Sequence, residues 1–435
     1  MAPSKSENST GSESAGAAGS LLEHTFRRQA GGMVSHFAQL VGPANLQIAE
    51  DAVQEAMLRA LQTWPYSGIP QNASGWLFRV AHNAVLDALR QTRLHGEKAA
   101  EFVRTASAFT REPVVEDGFN DDELRMIVLC CHPVLSRETS VALSLKLVGG
   151  FGVREIARAF LVDEAAIAQR LVRAKRQIRE QGLTLELPDE KELRLRLSAV
   201  LEVLYFLFNE GYTAHAGEDL IRAEFCGEAL RLARLVAASS IATPETHALV
   251  ALMAFQAARL PARVDDQGDL VLFEFQDRSR WDDRLIALGF HHFDRSMVGD
   301  EITEYHAQAA IAATYARAAD PQSIDWAAVL LLYDQLLSIN PSPVVALNRA
   351  VAVAKVHGAA EALRTIELLD DHPRMKDYHL LLAVRGHLLR DLGRWTEAAA
   401  SYRAALQLEC SQPERRFLCG KLEECQSVLG TARTA

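Results

Sequence analysis

The sequence has no run of about 20 apolar residues, the length that a membrane-spanning helix needs. Its polar N-terminus, residues 1–20, lacks the apolar segment of a secretory signal and is expected to be a disordered tail. We therefore expect a cytoplasmic protein that makes no membrane contact. Cysteine is scarce and should be reduced in that compartment, and no cofactor or metal site is expected. Core packing is favoured over a metal or redox role for two clusters: Cys130, Cys131 and His132, and Cys410, Cys419 and Cys425.

An excess of positive charge is also absent, since the net charge is −10. This charge is unevenly divided. Residues 1–183 carry 20 Lys and Arg against 20 Asp and Glu, whereas residues 184–435 carry 26 against 36. An acidic surface is repelled by phosphate, so nucleic-acid contacts are expected in the first half. The second half is expected to serve protein contacts or regulation.

Residues 153–180 have the pattern of a helix-turn-helix. Apolar residues recur at helical spacing from Val153 to Phe160, Asp163 is a suitable N-cap, and a second amphipathic helix follows. The second helix has an outward basic side and could lie in a DNA major groove. A helical hairpin with a solvated basic side is the alternative. Leu161 occupies the turn, where such units often have a glycine. The side predicted to be buried is Ile167, Leu171, Ala174 and Ile178.

Three helices are predicted before this motif, over residues 21–42, 44–63 and about 76–92. The segment between the second and third, 64–75, is predicted to be a loop because it is rich in Pro, Gly, Asn and Ser. The third helix suits melted DNA, because Trp76 offers a stacking plane and polar side chains follow it along one side. Taken singly, Trp76 also fits a core residue, and Asp87 fits a structural partner of Arg90.

Three segments in this order resemble sigma factors of the extracytoplasmic-function group: AEDAVQEAMLRAL, GWLFRVAHNAVLDALR and VREIARAFLVDEAAIAQRLVRAKRQI. These factors belong to the sigma-70 family and keep only regions 2 and 4. The resemblance implies region 2 over residues 21–94, a linker over 95–123 and the region 4 helix-turn-helix over 124–182. A subgroup with a long helical C-terminal extension is similar as well, at LCCHPVLS, FNEGYTAH, DRSRWD and PSPVVALNRAVAVA.

The resemblance also implies partners and roles, position by position. The partners are promoter DNA and the RNA polymerase core, through its β′ clamp and its β flap. Residues matching the β′-binding helix are Asp51, Gln54 and Glu55. Residues matching the part of region 2 that engages and melts the −10 element are Trp76, Arg79, Asn83, Asp87 and Arg90. Residues matching the helix that reads the −35 element are Glu164, Ala166, Gln169, Arg170, Arg173 and Arg176.

The second half is predicted to be almost entirely helical, with a helical extension over residues 183–323. Its one strand-like run, Leu270–Phe275, fits an extended loop equally. FNEGYTAH (208–215) is predicted to be a polar turn, and a capping or interdomain cluster is favoured there over a metal or acid–base site. Residues 324–435 resemble tetratricopeptide repeats, because Gly358 and Gly393 stand 35 residues apart, near the repeat length of about 34. Such repeats could bind a protein ligand.

We therefore predict an all-α, multidomain sigma factor that is not an enzyme. One alternative is a helix-turn-helix regulator with a repeat-based sensor, which would bind duplex DNA as a dimer and would leave residues 21–92 unexplained. A second alternative is a peptide-binding scaffold in which the DNA motif is incidental. It does not explain why the three motifs occur in this order.

Overall fold

The computed structural model describes residues 29–91, 120–160, 162–212 and 223–434. Several expectations fall outside these ranges: the tail at 1–20, residues 95–119 of the linker, Leu161 in the helix turn and His215. The described part of the chain contains helices and short 3₁₀ turns, and its one isolated β-bridge joins Val264 and Leu270. Within these residues no helix is both long enough and apolar enough to cross a bilayer.

The chain divides into two compact units, of which the first ends at Val203 and the second begins at Leu204. The first unit contains α1 (residues 29–41), α2 (Leu46–Ser67), α3 (Ala73–Gln91), α4 (Asn120–Cys130), α5 (Arg137–Leu147), α6 (Val153–Phe160), α7 (Glu164–Glu180) and the beginning of α8 (Glu190–Tyr212). The apolar stripes on these helices supply the core. The predicted buried side of α7 is confirmed, since Ile167, Leu171, Ala174 and Ile178 are all buried. The Ser136 side chain caps α5 by accepting a hydrogen bond from the Thr139 backbone amide.

The loop predicted over residues 64–75 is shorter in the structure. Helix α2 continues through Ser67, and α3 begins at Ala73 rather than at Trp76. The prediction was wrong at Trp64 because that ring is buried, and its packing outweighs the helix-breaking tendency of the proline that follows it. Gly68, with φ of 78°, ends α2 in a conformation that favours glycine.

The second unit contains the end of α8 and a series of ten further helices in its described residues: α9 (Ala223–Ala238), α10 (Pro244–Ala258), α11 (Asp283–Ser296), α12 (Glu304–Arg317), α13 (Trp326–Ile339), α14 (Pro343–His357), α15 (Ala359–Glu367), α16 (His379–Asp391), α17 (Trp395–Ala405) and α18 (Gln412–Thr434). Most consecutive helices pack against one another, and α10, which is almost fully buried, lies against α9, α11 and α12. Helix α8 runs through Asn209 and Glu210 to Tyr212, so the turn predicted to begin at residue 208 is wrong over that part.

The strand-like run Leu270–Phe275 forms no strand. It makes a single bridge and then a 3₁₀ turn over Phe273–Phe275, so the extended-loop alternative describes it better. The charged residues that follow serve the fold. Arg278 donates to the backbone oxygens of Tyr315 (3.1 Å) and Ala316 (2.6 Å) and stacks on buried Trp281.

The repeat-like segment has two turns of the predicted kind. Gly358 and Gly393 both have positive φ, 88° and 72°, and each lies between two helices. A Cβ added at Gly386 would lie 2.8 Å from the buried Tyr402 ring, so only glycine permits this close approach of α16 and α17. These contacts agree with the small-residue and aromatic positions of a tetratricopeptide repeat, and the assignment itself stays a prediction.

Candidate nucleic-acid interface

Helices α6 and α7 form the expected helix-turn-helix. Asp163 takes the N-cap position of α7, although its side chain makes no capping hydrogen bond. All six residues predicted to read the −35 element lie away from the core, and five of them are exposed, with Arg170 half-buried. The exposed five are Glu164, Ala166, Gln169, Arg173 and Arg176.

The charged groups on this side of α7 make only weak local contacts. Arg173 Nε lies 3.4 Å from the Gln169 backbone oxygen, and Arg176 pairs with Glu180 at 3.5 Å. Glu164 pairs with Arg154 at 3.8 Å. Exposed pairs of this kind contribute about 0–1 kcal/mol, so the arginines can exchange them for phosphate or base contacts at little cost.

Helix α3 presents a second polar stripe, formed by Arg79, Asn83, Asp87 and Arg90 at steps of four, four and three residues. All four are exposed, while Leu77, Ala81 and Val85 on the opposite side are buried. Arg90 donates to Asp87 at 3.0 Å, so the structural pairing considered as an alternative for Asp87 is present.

Trp76 is half-buried at the start of α3. Its ring lies edge-to-face on the ring of Trp64, with centroids 5.5 Å apart. The contact supports a packing role for Trp76, and the exposed remainder of the ring leaves surface on which a base could stack. Both interpretations keep support from the geometry.

Helix α2 carries a third surface. Asp51 and Gln54 are exposed, and Glu55 is half-buried beside Arg59, with which it forms an ion pair. Leu58 and Leu61 continue the stripe and are 57% and 71% exposed. Sequence reasoning missed these two leucines. Their signal was the spacing i, i+3, i+7 and i+10 from Asp51, which places apolar residues on a helix side that otherwise reads as polar.

The segment expected to be region 4 packs on the segment expected to be region 2 within the first unit. Lys175, on the inner side of α7, forms an ion pair with buried Glu50 of α2 and donates to Gln47 Oε1 at 3.0 Å. His36 of α1 lies 2.8 Å from the Asp122 carboxylate of α4. A cavity of about 330 Å³ lies between the two regions, with Leu58 and Leu61 on one wall and Lys146 and Gly150 on the other.

Cys130 and Cys131 lie in the core beneath this contact. Burial raises the pKa of the Cys130 thiol well above its ordinary value and raises that of Cys131 to about 12. Both thiols therefore stay protonated and unreactive near neutral pH, as the packing interpretation predicts. In the described ranges no three His, Cys, Asp or Glu side chains converge on a possible metal position.

Comparison with known proteins identifies the family. The model of sigma-70 region 2 matches residues 28–94, and that of sigma-70 region 4 matches residues 125–178. An uncharacterized protein of Rhizobium meliloti (strain 1021) is 39% identical over 87% of this chain and 90% of its own length. The chain belongs to the extracytoplasmic-function group of the sigma-70 family. The family expected from the sequence motifs is thereby confirmed, and an all-α fold with regions 2 and 4 is confirmed with it.

Two named relatives match a smaller share of this sigma factor. ECF RNA polymerase sigma factor SigL of Mycobacterium tuberculosis is 28% identical over 40% of this chain and 97% of its own length. SigM of the same organism is 28% identical over 30% of this chain and 62% of its own length. Residues 196–297 match a family of unknown function, DUF6596. No solved structure matches the chain.

Proposed function

We propose that this sigma factor uses three surfaces of its first unit to start transcription. The α2 stripe from Asp51 to Leu61 binds the β′ clamp of core RNA polymerase, and region 4 also contacts the β flap. The polar side of α3, with Trp76, engages and melts the −10 element. The outer side of α7 reads the −35 element.

The observation that carries this proposal is the joint exposure of three separate stripes on one small unit. A stripe that mixes two exposed leucines with Asp51 and Gln54 suits a protein partner, because exposed apolar patches mark docking sites. The arginines of α3 and α7 suit phosphate and base edges. A conventional helix-turn-helix regulator needs only the α7 surface and would leave the stripes on α2 and α3 unused.

Promoter binding also requires regions 2 and 4 to separate. By their names the −10 and −35 elements lie 25 base pairs apart, which is about 85 Å of B-DNA at about 3.4 Å per base pair. A compact unit of this size has a radius of gyration of roughly 16 Å. The arrangement held by Lys175 and Glu50 is therefore a closed form of the free protein, and the polymerase-bound form must be open.

The extension, residues 184–435, regulates or supports this activity. Its beginning is already part of the first unit, where Arg125 Nη1 lies 3.4 Å from the Leu185 backbone oxygen and Arg137 pairs with Glu202 at 3.8 Å. These contacts support regulation in cis, because a movement of α8 would act directly on α5 of region 4 through the pair of Arg137 and Glu202.

Purified core polymerase tests the proposal. The full chain should bind core and confer initiation from one promoter class, with permanganate-reactive thymines at the −10 element. A duplex-binding dimer that neither binds core nor opens DNA would support the regulator alternative. A chain that binds neither DNA nor core would support the scaffold alternative.

A further inference from the structure

The second unit contains a cavity of about 490 Å³ within the size range of small-molecule sites. It is lined by residues of helices α8, α10, α12, α13 and α14, so it lies between the segment of unknown function and the repeat-like segment. Its walls combine apolar side chains such as Leu252 and Ile311 with four tyrosines. These are Tyr205, Tyr212, Tyr315 and Tyr333.

Arg259 provides a fixed positive charge in this wall. Its guanidinium stacks over Phe273, with its carbon 4.4 Å from the ring centroid, and its Nε donates to Gln276 at 3.3 Å. Among the described residues it forms no ion pair. A guanidinium held in this way presents its remaining N–H groups as a fork, which matches a carboxylate.

The charge of Arg259 also reaches the tyrosines. Burial raises the pKa of both Tyr315 and Tyr333, and Arg259 partly opposes this increase. At Tyr212 burial also acts to raise the pKa, but Arg259 and Arg263 outweigh it and the pKa is lowered. The hydroxyls of Tyr315 and Tyr333 therefore stay protonated at neutral pH, and they hydrogen-bond to each other in the cavity wall.

An acceptor stands next to this cation. Gln256 lies on α10, three residues before Arg259, which is the C-cap of that helix, so the two side chains are neighbours, with Cβ atoms about 5–6 Å apart. The Gln256 Oε1 atom is buried and accepts no hydrogen bond from the described residues. An unsatisfied buried acceptor costs about 1–3 kcal/mol, which a ligand carrying an N–H group beside its carboxylate would recover.

A negative charge stands near Tyr205 in the same cavity. Glu304 lines the same cavity, and its Oε1 atom accepts a hydrogen bond from Gln308 Nε2 at 2.7 Å. Gln308 is fixed in turn by the Tyr205 hydroxyl, which donates to its Oε1 atom at 2.8 Å. Glu304 forms no ion pair with any residue in the described part of the chain. The cavity thus offers one cation, one anion and an apolar wall.

We propose that this cavity binds a free α-amino acid with an apolar side chain. The carboxylate lies against Arg259, the ammonium group donates to Gln256, and the side chain packs among the tyrosines and aliphatic residues. This site is separate from the promoter and polymerase surfaces, and ligand binding there does not depend on the proposed sigma activity.

Calorimetric titration and thermal melting of the full chain test the site directly. The probes are L-phenylalanine, L-leucine and L-tryptophan, each up to about 10 mM, which detects a Kd near the millimolar range. L-Phenylalaninamide lacks the carboxylate, 3-phenylpropionate lacks the ammonium group, and L-phenyllactate replaces it with a hydroxyl. At least one amino acid should bind and raise the melting temperature. The amide, the propionate and the lactate should each bind at least tenfold more weakly than phenylalanine.

Two variants locate the binding. Arg259→Gln should weaken it tenfold or more, but Arg259 also packs on Phe273, so its loss could disturb the fold. Val344→Phe avoids this problem, since Val344 lines the cavity and is 37% exposed; the larger ring should block binding. Val351→Phe is the matched control on the same helix, 38% exposed and outside the cavity wall, and it should bind normally.

Absence of binding by all three amino acids to the folded wild-type chain would overturn the proposal. So would equal binding of the amide, preference for the hydroxy acid, or binding that survives Val344→Phe. None of these measurements involves polymerase or DNA, so failure here and failure of the proposed function are distinguished.

Discussion

Replacing Lys175 with methionine should release region 4 from region 2. Methionine keeps most of the aliphatic volume and removes the charge, which leaves Glu50 buried without its ion pair. The Glu50 side chain is 3% exposed and that of Lys175 is 19% exposed. Breaking a buried pair costs about 3–5 kcal/mol, and the partial exposure of Lys175 reduces this to about 2–3 kcal/mol.

This cost falls on the closed form alone, because Glu50 can be hydrated once the regions separate. A difference of about 2–3 kcal/mol shifts the closed–open equilibrium about 30- to 150-fold towards the open form. Glu50→Gln combined with Lys175→Met should shift it less, since a neutral amide is cheaper to bury than a carboxylate.

Energy transfer between dyes on Gln62 of region 2 and Val172 of region 4, each replaced by cysteine, measures the separation. Both positions are exposed, and Cys419, the one native cysteine exposed in the described ranges, is first replaced by serine. Transfer should fall in Lys175→Met, and affinity for core polymerase and for a promoter with both elements should rise.

Arg179→Met is the matched control, since it removes one positive charge from the same helix at an exposed position that makes no contact with Glu50. It should leave energy transfer unchanged and should not strengthen binding. Unchanged transfer and unchanged affinity in Lys175→Met would refute the closed-form reasoning.

Three further results are expected. Replacing Asp51, Gln54 and Glu55 together with alanine should weaken binding to core polymerase. The melting temperature should stay within a few degrees of the wild-type value, because surface substitutions usually change stability by less than about 0.5 kcal/mol each. A variant that binds core normally would contradict the docking role. Arg173→Ala should weaken duplex −35 binding, by about 1–3 kcal/mol if a base contact is lost, whereas Trp76→Ala should spare the closed complex and reduce permanganate reactivity at −10 thymines. His292→Gln should remove part of the acid sensitivity of folding. Burial and the adjacent His247 lower the pKa of His292 from 6.5 to about 4. The folded state therefore favours the neutral imidazole, and stability is lost as the pH falls from 6.5 towards 4. Exposed His291→Gln is its control, and identical urea midpoints against pH for both variants would refute this assignment.

The helices of region 4 could be predicted closely because several independent sequence signals indicate the same helices. The apolar spacing of α7, its N-cap position and its basic outer side all point to one amphipathic helix, and the structure has it. The outer and inner sides of α3 were predictable for the same reason. In both helices the apolar periodicity determines which residues are buried, and the remaining residues form the exposed side.

Other features depend on contacts that no local pattern contains. Trp64 draws the end of α2 past the predicted loop boundary because its ring packs against Trp76. Lys175 carries no local sequence signal of burial, and its ion pair with Glu50 forms only once two segments 125 residues apart have met. The cavity of the second unit also depends on contacts between distant segments, since its polar lining comes from several helices of ordinary composition.

The division of charge explains why a sigma factor of this design should need its polymerase. The first half is neutral, so no long-range field draws it to DNA, and its affinity must come from short-range contacts. Two of the arginines that could make them form weak surface pairs in the free chain: Arg90 with Asp87, and Arg176 with Glu180. In the proposed function, the two promoter readers cannot reach both elements while Lys175 holds the closed form. In the proposed function, docking on core polymerase separates the readers and brings both to the DNA together, so the second contact becomes intramolecular.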